Sequence, residues 1–497
     1  MDESQHNQGN NQSGIAAKFD LDLASSKPCI LHGSDIEIAR SLKIYLHRLF
    51  GSVVSDGGTI YVFADKCWRP LDDCYLRSIV HGYDGFKYED EKGKEKSISL
   101  NKKRIDSIIH ELQSMLSPSV ASRQIFASRS SFFDQAVPGI NVQNGFVAFI
   151  DDQATLYEHD PILRQRHVLP VTYYDYSQHG ATEIYLPEDS LLRRLLYGSF
   201  GEDPHCEDKI ALIQEVFGCA ISRFSTKLKK AKFILFYGQS ANNGKSQFLE
   251  LLASLLPPDV VTSVPVEEWG DEKYRVSLRD SVLNIVAELS GSMIQSNVFK
   301  SIVTGDMISG RDVYKSAVYF RPTALHVAAT NKLPVFSGGV DRGVYSRLLP
   351  IEFTRSIPKE EQIDNLAKRI IESELDLLFH WAVDGAKRLI QRGDYPDLPC
   401  IVETLVDWTR QADPVLDWVR ECCFTGPFLD FVSNDTIVSE FRKWALSEHY
   451  QDRYLPQGRE VIARIAALPG VQRARTNSAR GLIGINIHKR VTVGPDK

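Results

Sequence analysis

The eight cysteines form no C-x-x-C pair and no ladder of ligand spacings, which argues against a structural zinc and leaves buried free thiols in a reducing compartment as the expectation. No apolar run approaches membrane-spanning length, and the N-terminus is polar where a secretory leader would be basic and then apolar. Positive charge is not in excess either: 58 Lys and Arg stand against 64 Asp and Glu over 497 residues, a formal net charge of −6. Any nucleic-acid binding must therefore come from local patches or a lined channel. These absences point to a soluble intracellular protein with no membrane partner. Its ordinary apolar and charged fractions can fill sizeable cores, and its length suits about three domains.

The most informative stretch is KFILFYGQSANNGKS, residues 232–246. Its apolar run reads as a buried strand closed by Gly238. After the polar loop, Phe248, Leu251, Leu252 and Leu255 fall on one helical face. Strand, glycine-bounded loop and helix together make a phosphate-binding loop. Backbone N–H groups and the helix N-terminus form an anion nest. Gly244 allows close backbone approach, Lys245 carries charge to the outer phosphates, and the Ser246 hydroxyl suits Mg²⁺. Gly238, Asn243, Gly244, Lys245, Ser246 and Gln247 are the candidate nucleotide-binding residues. Five residues separate the glycines where the usual pattern has four.

Elsewhere the chain alternates recognisable pieces. Residues 1–28 are polar and of low complexity, and are expected to be disordered. Apolar periodicity predicts a helix from Asp35 to Gly51 and another around Ile105, Ile108, Ile109 and Leu112, with a strand at 59–63 between them. The charge run EDEKGKEK, residues 89–96, reads as a solvated loop. The Asn144-Gly145 dipeptide between apolar runs signals a hairpin, and 191–221 reads as helical. Gly393 to Pro399 breaks the chain. Beyond it, three helical patterns and a closing hairpin near 471–487 make a winged-helix pattern. Arg473, Arg475, Arg480, Lys489 and Arg490 in or beside that hairpin suit phosphate contacts, and equally suit a basic surface kept for solubility.

Downstream of the loop, residues 282–288 read as a second strand ending in the acid Glu288, placed to hold a metal shell or poise water beside a γ-phosphate. A third strand at 324–330 ends at Asn331, whose amide can orient an attacking water. Arg347 precedes a closing strand, 348–353, and suits a finger reaching a neighbour's phosphate. Between the acid and the amide, residues 305–316 read as a hairpin tipped with basic residues, including Arg311 and Lys315.

Order and spacing carry more than any one motif. N-G-K-S, A-E-L, T-G-D-x-I-x-G-R-x-x-Y-K, A-T-N-x-L-P and S-R follow one another from 243 to 347. In that series the chain resembles the superfamily 3 helicases, in the phage and plasmid primase–helicase branch with its poxvirus-type relatives. The resemblance is specific over about residues 233–353. It implies an α/β P-loop (AAA+-like) ATPase core at 226–400, preceded by an α+β helicase-associated domain at 29–225 and followed by a winged helix at 401–497. It implies ATP and Mg²⁺ as cofactors, with catalysis by Lys245, Glu288, Asn331 and Arg347 and the metal at Ser246 and Glu288. Arg311, Tyr314 and Lys315 would contact DNA. The expected protein is then a replicative DNA helicase of a phage, prophage or plasmid. It would unwind single-stranded or forked DNA as a homo-hexamer in the bacterial cytoplasm. A separate primase would be a partner, since the primase domain of full-length relatives is not recognised here. The alternative is an origin-binding or DNA-remodelling ATPase that does not unwind processively.

Overall fold

The structure, a computed structural model, describes residues 30, 32–90, 92–118, 131–150, 153–176, 183–240, 242–312, 317–337, 341–412, 414–427, 429–448 and 455–488. The expected disordered tail and the residues Tyr314, Lys315, Lys489 and Arg490 lie outside this set. Contact density divides the chain into two units, 1–137 with 159–168, and 138–158 with 169–497. This division differs from the sequence boundaries at 225 and 400. The strands and helices of 138–158 and 169–225 bury their apolar faces in the second unit.

In the first unit, helices α1 (Asp35–Phe50), α2 (Asp73–His81) and α3 (Lys102–Met115) share one apolar cluster. The i, i+3, i+4 spacing of Ile38, Leu42 and Leu46, and of Ile105, Ile108, Ile109 and Leu112, puts each set on a buried stripe. Strands β1 (Val53–Asp56), β2 (Thr59–Ala64) and β3 (Cys67–Pro70) form an antiparallel sheet. The charge run at 89–96 is not wholly a loop: its ends pair in the hairpin β4 (Lys87–Glu89) and β5 (Glu95–Ser97). Glu89 faces Glu95 directly there, and the opposite charges come from the diagonal pair of Lys87 Nζ with Glu95 at 2.8 Å and from Lys96 with Asp90 at 3.0 Å.

The second unit begins with the antiparallel strands β6 (Ile140–Val142), β7 (Gly145–Ile150) and β8 (Gln153–Tyr157), which include the expected hairpin. The 191–221 stretch is two helices, α4 (Leu191–Phe200) and α5 (Cys206–Ser222), broken at Gly201. The chain then builds a parallel sheet with helices between the strands. In order these are β9 (Phe233–Tyr237), α6 (Lys245–Ser254), β10 (Val261–Thr262), α7 (Glu272–Arg275), β11 (Leu283–Val286) and α8 (Ser296–Thr304). After an antiparallel excursion, β12 (Ile308–Gly310) and β13 (Val318–Phe320), come β14 (Leu325–Thr330), α9 (Arg342–Tyr345) and β15 (Leu348–Glu352). The spatial order is β10-β11-β14-β9-β15, and every pairing in it is parallel. Every residue of β9 and β14 is buried, as continuous apolar runs in a sheet covered on both faces should be.

Helices α10 (Leu366–Ser373), α11 (Leu375–Arg392) and α12 (Pro399–Ala412) complete this core, which includes Ile401, Leu405 and Trp408. A separate apolar cluster starts at Val415. It holds α13 (Pro414–Cys422), β16 (Cys423–Thr425), β17 (Val432–Ser433), α14 (Asn434–Ser447), α15 (Gly458–Ile465), β18 (Gln472–Arg475), β19 (Arg480–Ile483) and β20 (Ile485–Ile487). Among the described residues no helix is long and apolar enough to cross a membrane.

α5 is buried nearly all round and crosses α11 at very short range. A β-carbon on Gly218 would sit 2.1 Å from the Ala386 nitrogen, and one on Gly385 would sit 2.0 Å from the Gln214 carbonyl oxygen. Beside this crossing, Gln214 Nε2 donates to the Trp381 carbonyl at 2.8 Å, and buried Glu215 takes Arg392 and Arg388. Gly385→Ala is expected to cost about 1–3 kcal/mol or more in urea denaturation, because neither backbone has room to give. Gly198→Ala, where a β-carbon meets open space in α4, should be neutral or stabilising.

His326 on β14 is also buried, both ring nitrogens lack a partner, and its ring stands edge-on to Trp269 at 4.7 Å. Burial pushes its pKa down to about 3, so the folded state keeps it neutral. Unfolded histidine titrates near 6.5. The stability it contributes is full above about pH 6.5 and is lost as pH falls from there toward 3. Between pH 7.5 and 5.5 the parent should lose about 1.4 kcal/mol more than His326→Phe, measured by denaturant titration at the two pH values.

Candidate nucleotide site

β9 comes first in the sheet by sequence yet lies between β14 and β15. The chain leaves β9 toward β10 on one side and later crosses it from β14 to β15 on the other, and at such a switch point a crevice opens beyond the carboxyl ends of the strands. The loop 238–244 lies in that position. Gly238 continues β9 and donates its N–H to the Thr330 carbonyl at 3.2 Å. A β-carbon there would stand 2.5 Å from Asn243 Nδ2 and 2.7 Å from the Phe353 carbonyl oxygen. Gly244 is glycine for a different reason. Its φ of 91° is left-handed, and a β-carbon would stand 2.4 Å from Ser199 Oγ. The five-residue spacing includes Asn242 at φ 55°, whose carbonyl accepts the Ile357 N–H at 2.9 Å. Asn243 Nδ2 closes the loop on the Ser240 carbonyl at 2.8 Å.

α6 starts at Lys245 without a side-chain cap, so its first N–H groups remain for an anion. Lys245 is only 8% exposed. Its Nζ donates to the Gly238 carbonyl at 2.9 Å and to Asn331 Oδ1 at 3.0 Å. Burial lowers the pKa of this ammonium, and the Glu288 carboxylate pulls it back up. An ammonium has three donors, so two neutral acceptors leave one for an incoming anion. Glu288 and Asn331 are exposed just past the tips of the neighbouring strands β11 and β14. Five of the expected residues, Gly238, Gly244, Lys245, Glu288 and Asn331, thus converge at one end of the sheet. Ser246 is exposed on the first turn of α6 and lines a cavity beside the loop. Gln247 lines it too, but its amide oxygen caps α10 by accepting the Ala367 N–H at 2.7 Å.

Beside the loop lies a cavity of about 820 Å³, within the range of small-ligand sites. Its walls include Arg194 and Tyr197 from α4, and Arg355, Ile357, Ile363 and Leu366 from the chain after β15. Arg355 ties the two walls together. It donates to the Gly198 carbonyl at 2.7 Å and to Glu361 at 2.7 Å, and it pairs with Glu202 at 3.0 Å. Sequence reasoning missed Arg355, Tyr197 and Ser199. Arg355 stands just past the end of β15, at the sheet end where Glu288 and Asn331 also follow strands, and that placement was the available signal. α4 lies far upstream and carries no motif.

Arg347 stands elsewhere. Leu348 pairs with Phe233, the first residue of β9, while Glu352 pairs with Tyr237, the last. Arg347 therefore lies at the amino end of the strands, about 16 Å along the sheet from the loop. Its Nη1 donates to the Gly343 carbonyl at 2.8 Å, and its Nε is buried without a partner. Arg311 is exposed at the end of β12, with its N–H on the Glu272 carbonyl at 3.1 Å.

Residues 236–344 match a family described as of unknown function, DUF5906. No curated protein matches the chain. Among solved structures, the A-form apo C-terminal region of NrS-1 is similar at TM-score 0.41 and 11% identity, covering 89% of this chain and 98% of that one. The apo structure of NrS-1 residues 305–718 is similar at TM-score 0.41 and 12% identity, over 89% and 99%. Likenesses this loose carry no assignment.

Gly244→Ala should lower the melting temperature, since a left-handed φ costs a side chain roughly 1–2 kcal/mol and Ser199 Oγ blocks the space. Adding Ser199→Ala removes the block but not the φ cost, so the double variant should recover part of the loss. Paired thermal melts check this.

Proposed function

We propose that this chain is an ATP-hydrolysing DNA helicase of phage, prophage or plasmid replication, with an AAA+-like P-loop core and a winged-helix C-terminal module. The observation that carries the reading is Lys245, buried between the Gly238 carbonyl and Asn331 at the foot of an uncapped helix. A lysine held there with a donor to spare suits the outer phosphates of a nucleotide, and the adjacent cavity has room for its base and sugar. Ser246 and Glu288, both exposed oxygen donors of the kind Mg²⁺ takes, would hold the metal, which when bound neutralises charge on the phosphate oxygens. Asn331 Oδ1 accepts from Lys245, which leaves its second lone pair and the NH₂ to orient a water. Arg347 is too far from its own chain's loop to serve it. That placement supports a finger acting on a neighbouring subunit, and with it assembly as a ring, proposed as a homo-hexamer. The β12–β13 hairpin with Arg311 is then the element offered to single-stranded or forked DNA, in a bacterial cytoplasm and alongside a separate primase.

Lys245→Ala and Arg347→Ala should each abolish ATP turnover, the second by about 10³–10⁵ in rate. Mixed together, the two variants should regain part of the activity, as one subunit's intact loop meets another's intact arginine. ATPase assays on the mixtures, with fork unwinding by the parent, decide the matter. Near-normal hydrolysis by Lys245→Ala would sink the assignment. ATPase without unwinding would favour a DNA-remodelling role.

A further inference from the structure

The hairpin β18–β19 has an unusual charge arrangement. Register pairs Arg475 directly with Arg480, and Arg473 with Leu482. Alternation along each strand then puts Arg473, Arg475, Arg480 and Leu482 on one face of the hairpin. Leu482 is fully buried on that face, in the cluster shared with α14 and α15, whereas all three arginines are exposed. The face that forms the core near β17 therefore continues past the helices as a basic surface. None of the three arginines makes an ion pair among the described residues, and residues 472–483 contain no acid. Like charges directly opposed across two strands are destabilising, and nothing in the hairpin offsets this pair. An anion bridging both guanidiniums would.

We propose that this face is a binding surface for the sugar–phosphate backbone of duplex DNA, separate from the β12–β13 hairpin. Arg473 and Arg475 lie about 6.7 Å apart along β18, matching the axial rise of two nucleotides in one strand of a duplex. Guanidinium groups suit phosphate oxygens through paired donors. Residues 472–483 contain no aromatic side chain, so the hairpin has no platform for stacking unpaired bases. The contact is thus one of charge and spacing. It does not depend on the ATPase reading, because it requires no nucleotide.

The test uses the full-length protein and a labelled blunt DNA duplex without nucleotide, with anisotropy titrations over a range of salt. Three lost phosphate contacts should make the slope of log K against log salt shallower by about 2.7 in R473Q/R475Q/R480Q. The R473K/R475K/R480K variant keeps the charge and should keep most of the slope. Basal ATPase should not change, and the Gln variant should melt at or above the parent temperature, since it loses the opposed charges. A parental slope in the Gln variant would overturn the proposal, as would equal losses in the Lys and Gln variants. A loss confined to single-stranded DNA or to RNA duplex would overturn the assignment to duplex DNA.

Discussion

A lysine drawn into the protein gives up water around its ammonium, and it stays charged only if acceptors replace that water. For Lys245 these are a carbonyl continuing β9 and an amide following β14. They meet because β9 and β14 are neighbours pointing the same way, which fixes the central part of the sheet order. The same demand explains why Gly238 carries no side chain, since the space it leaves is filled by Asn243, the Phe353 carbonyl and Lys245 Nζ, the last 3.2 Å from where a β-carbon would be. Gly244 answers to a separate constraint, its left-handed φ and the Ser199 hydroxyl beside it.

The wall across the cavity is positioned by elements distant in sequence. The Glu374 carboxylate, at the start of α11, accepts the N–H groups of Leu191 and Leu192 at 2.7 and 2.9 Å and so caps α4. Gln247 does the corresponding service for α10 from the first turns of α6. α11 is in turn locked to α5 by the glycine contact, which leaves no freedom to slide. End caps thus tie α11 to α4 and α6 to α10, and the cavity lies between α4, the start of α6 and the chain from Arg355 to Leu366.

The strand into the loop, the buried face of α6 and the strand tips at Glu288 and Asn331 were legible because each is a local pattern of apolar residues and punctuation. Arg347 was legible as a residue but not as a place, since only the register of β15 on β9 says which end of the sheet it occupies. The Lys87–Ser97 hairpin was hidden because a charge run carries no apolar alternation, and the ion pairs that hold it, Lys87–Glu95 and Lys96–Asp90, exist only once the register is set. The α4 wall depends on the Glu374 cap, a contact 183 residues apart along the chain that leaves no local trace.

The two units are interleaved along the chain rather than placed end to end. Strands β6 to β8 belong to the second unit, while 159–168, which follow them, return to the first. No single cut separates the units into intact pieces. Synthesis meets the same difficulty in time. The first unit lacks the carbonyl of Pro161 that accepts Trp68 Nε1 until the ribosome has already passed β8. Meanwhile Ile140, Val142 and Val147 must wait with their apolar faces open until α5 and the later core emerge. Tyr173, whose hydroxyl reaches the Ala154 carbonyl at 3.0 Å, must likewise wait for His380 on α11 to stack against it. A nascent chain stalled in that interval would display unsatisfied strand surface, and chaperone demand during translation should be concentrated there rather than at either end.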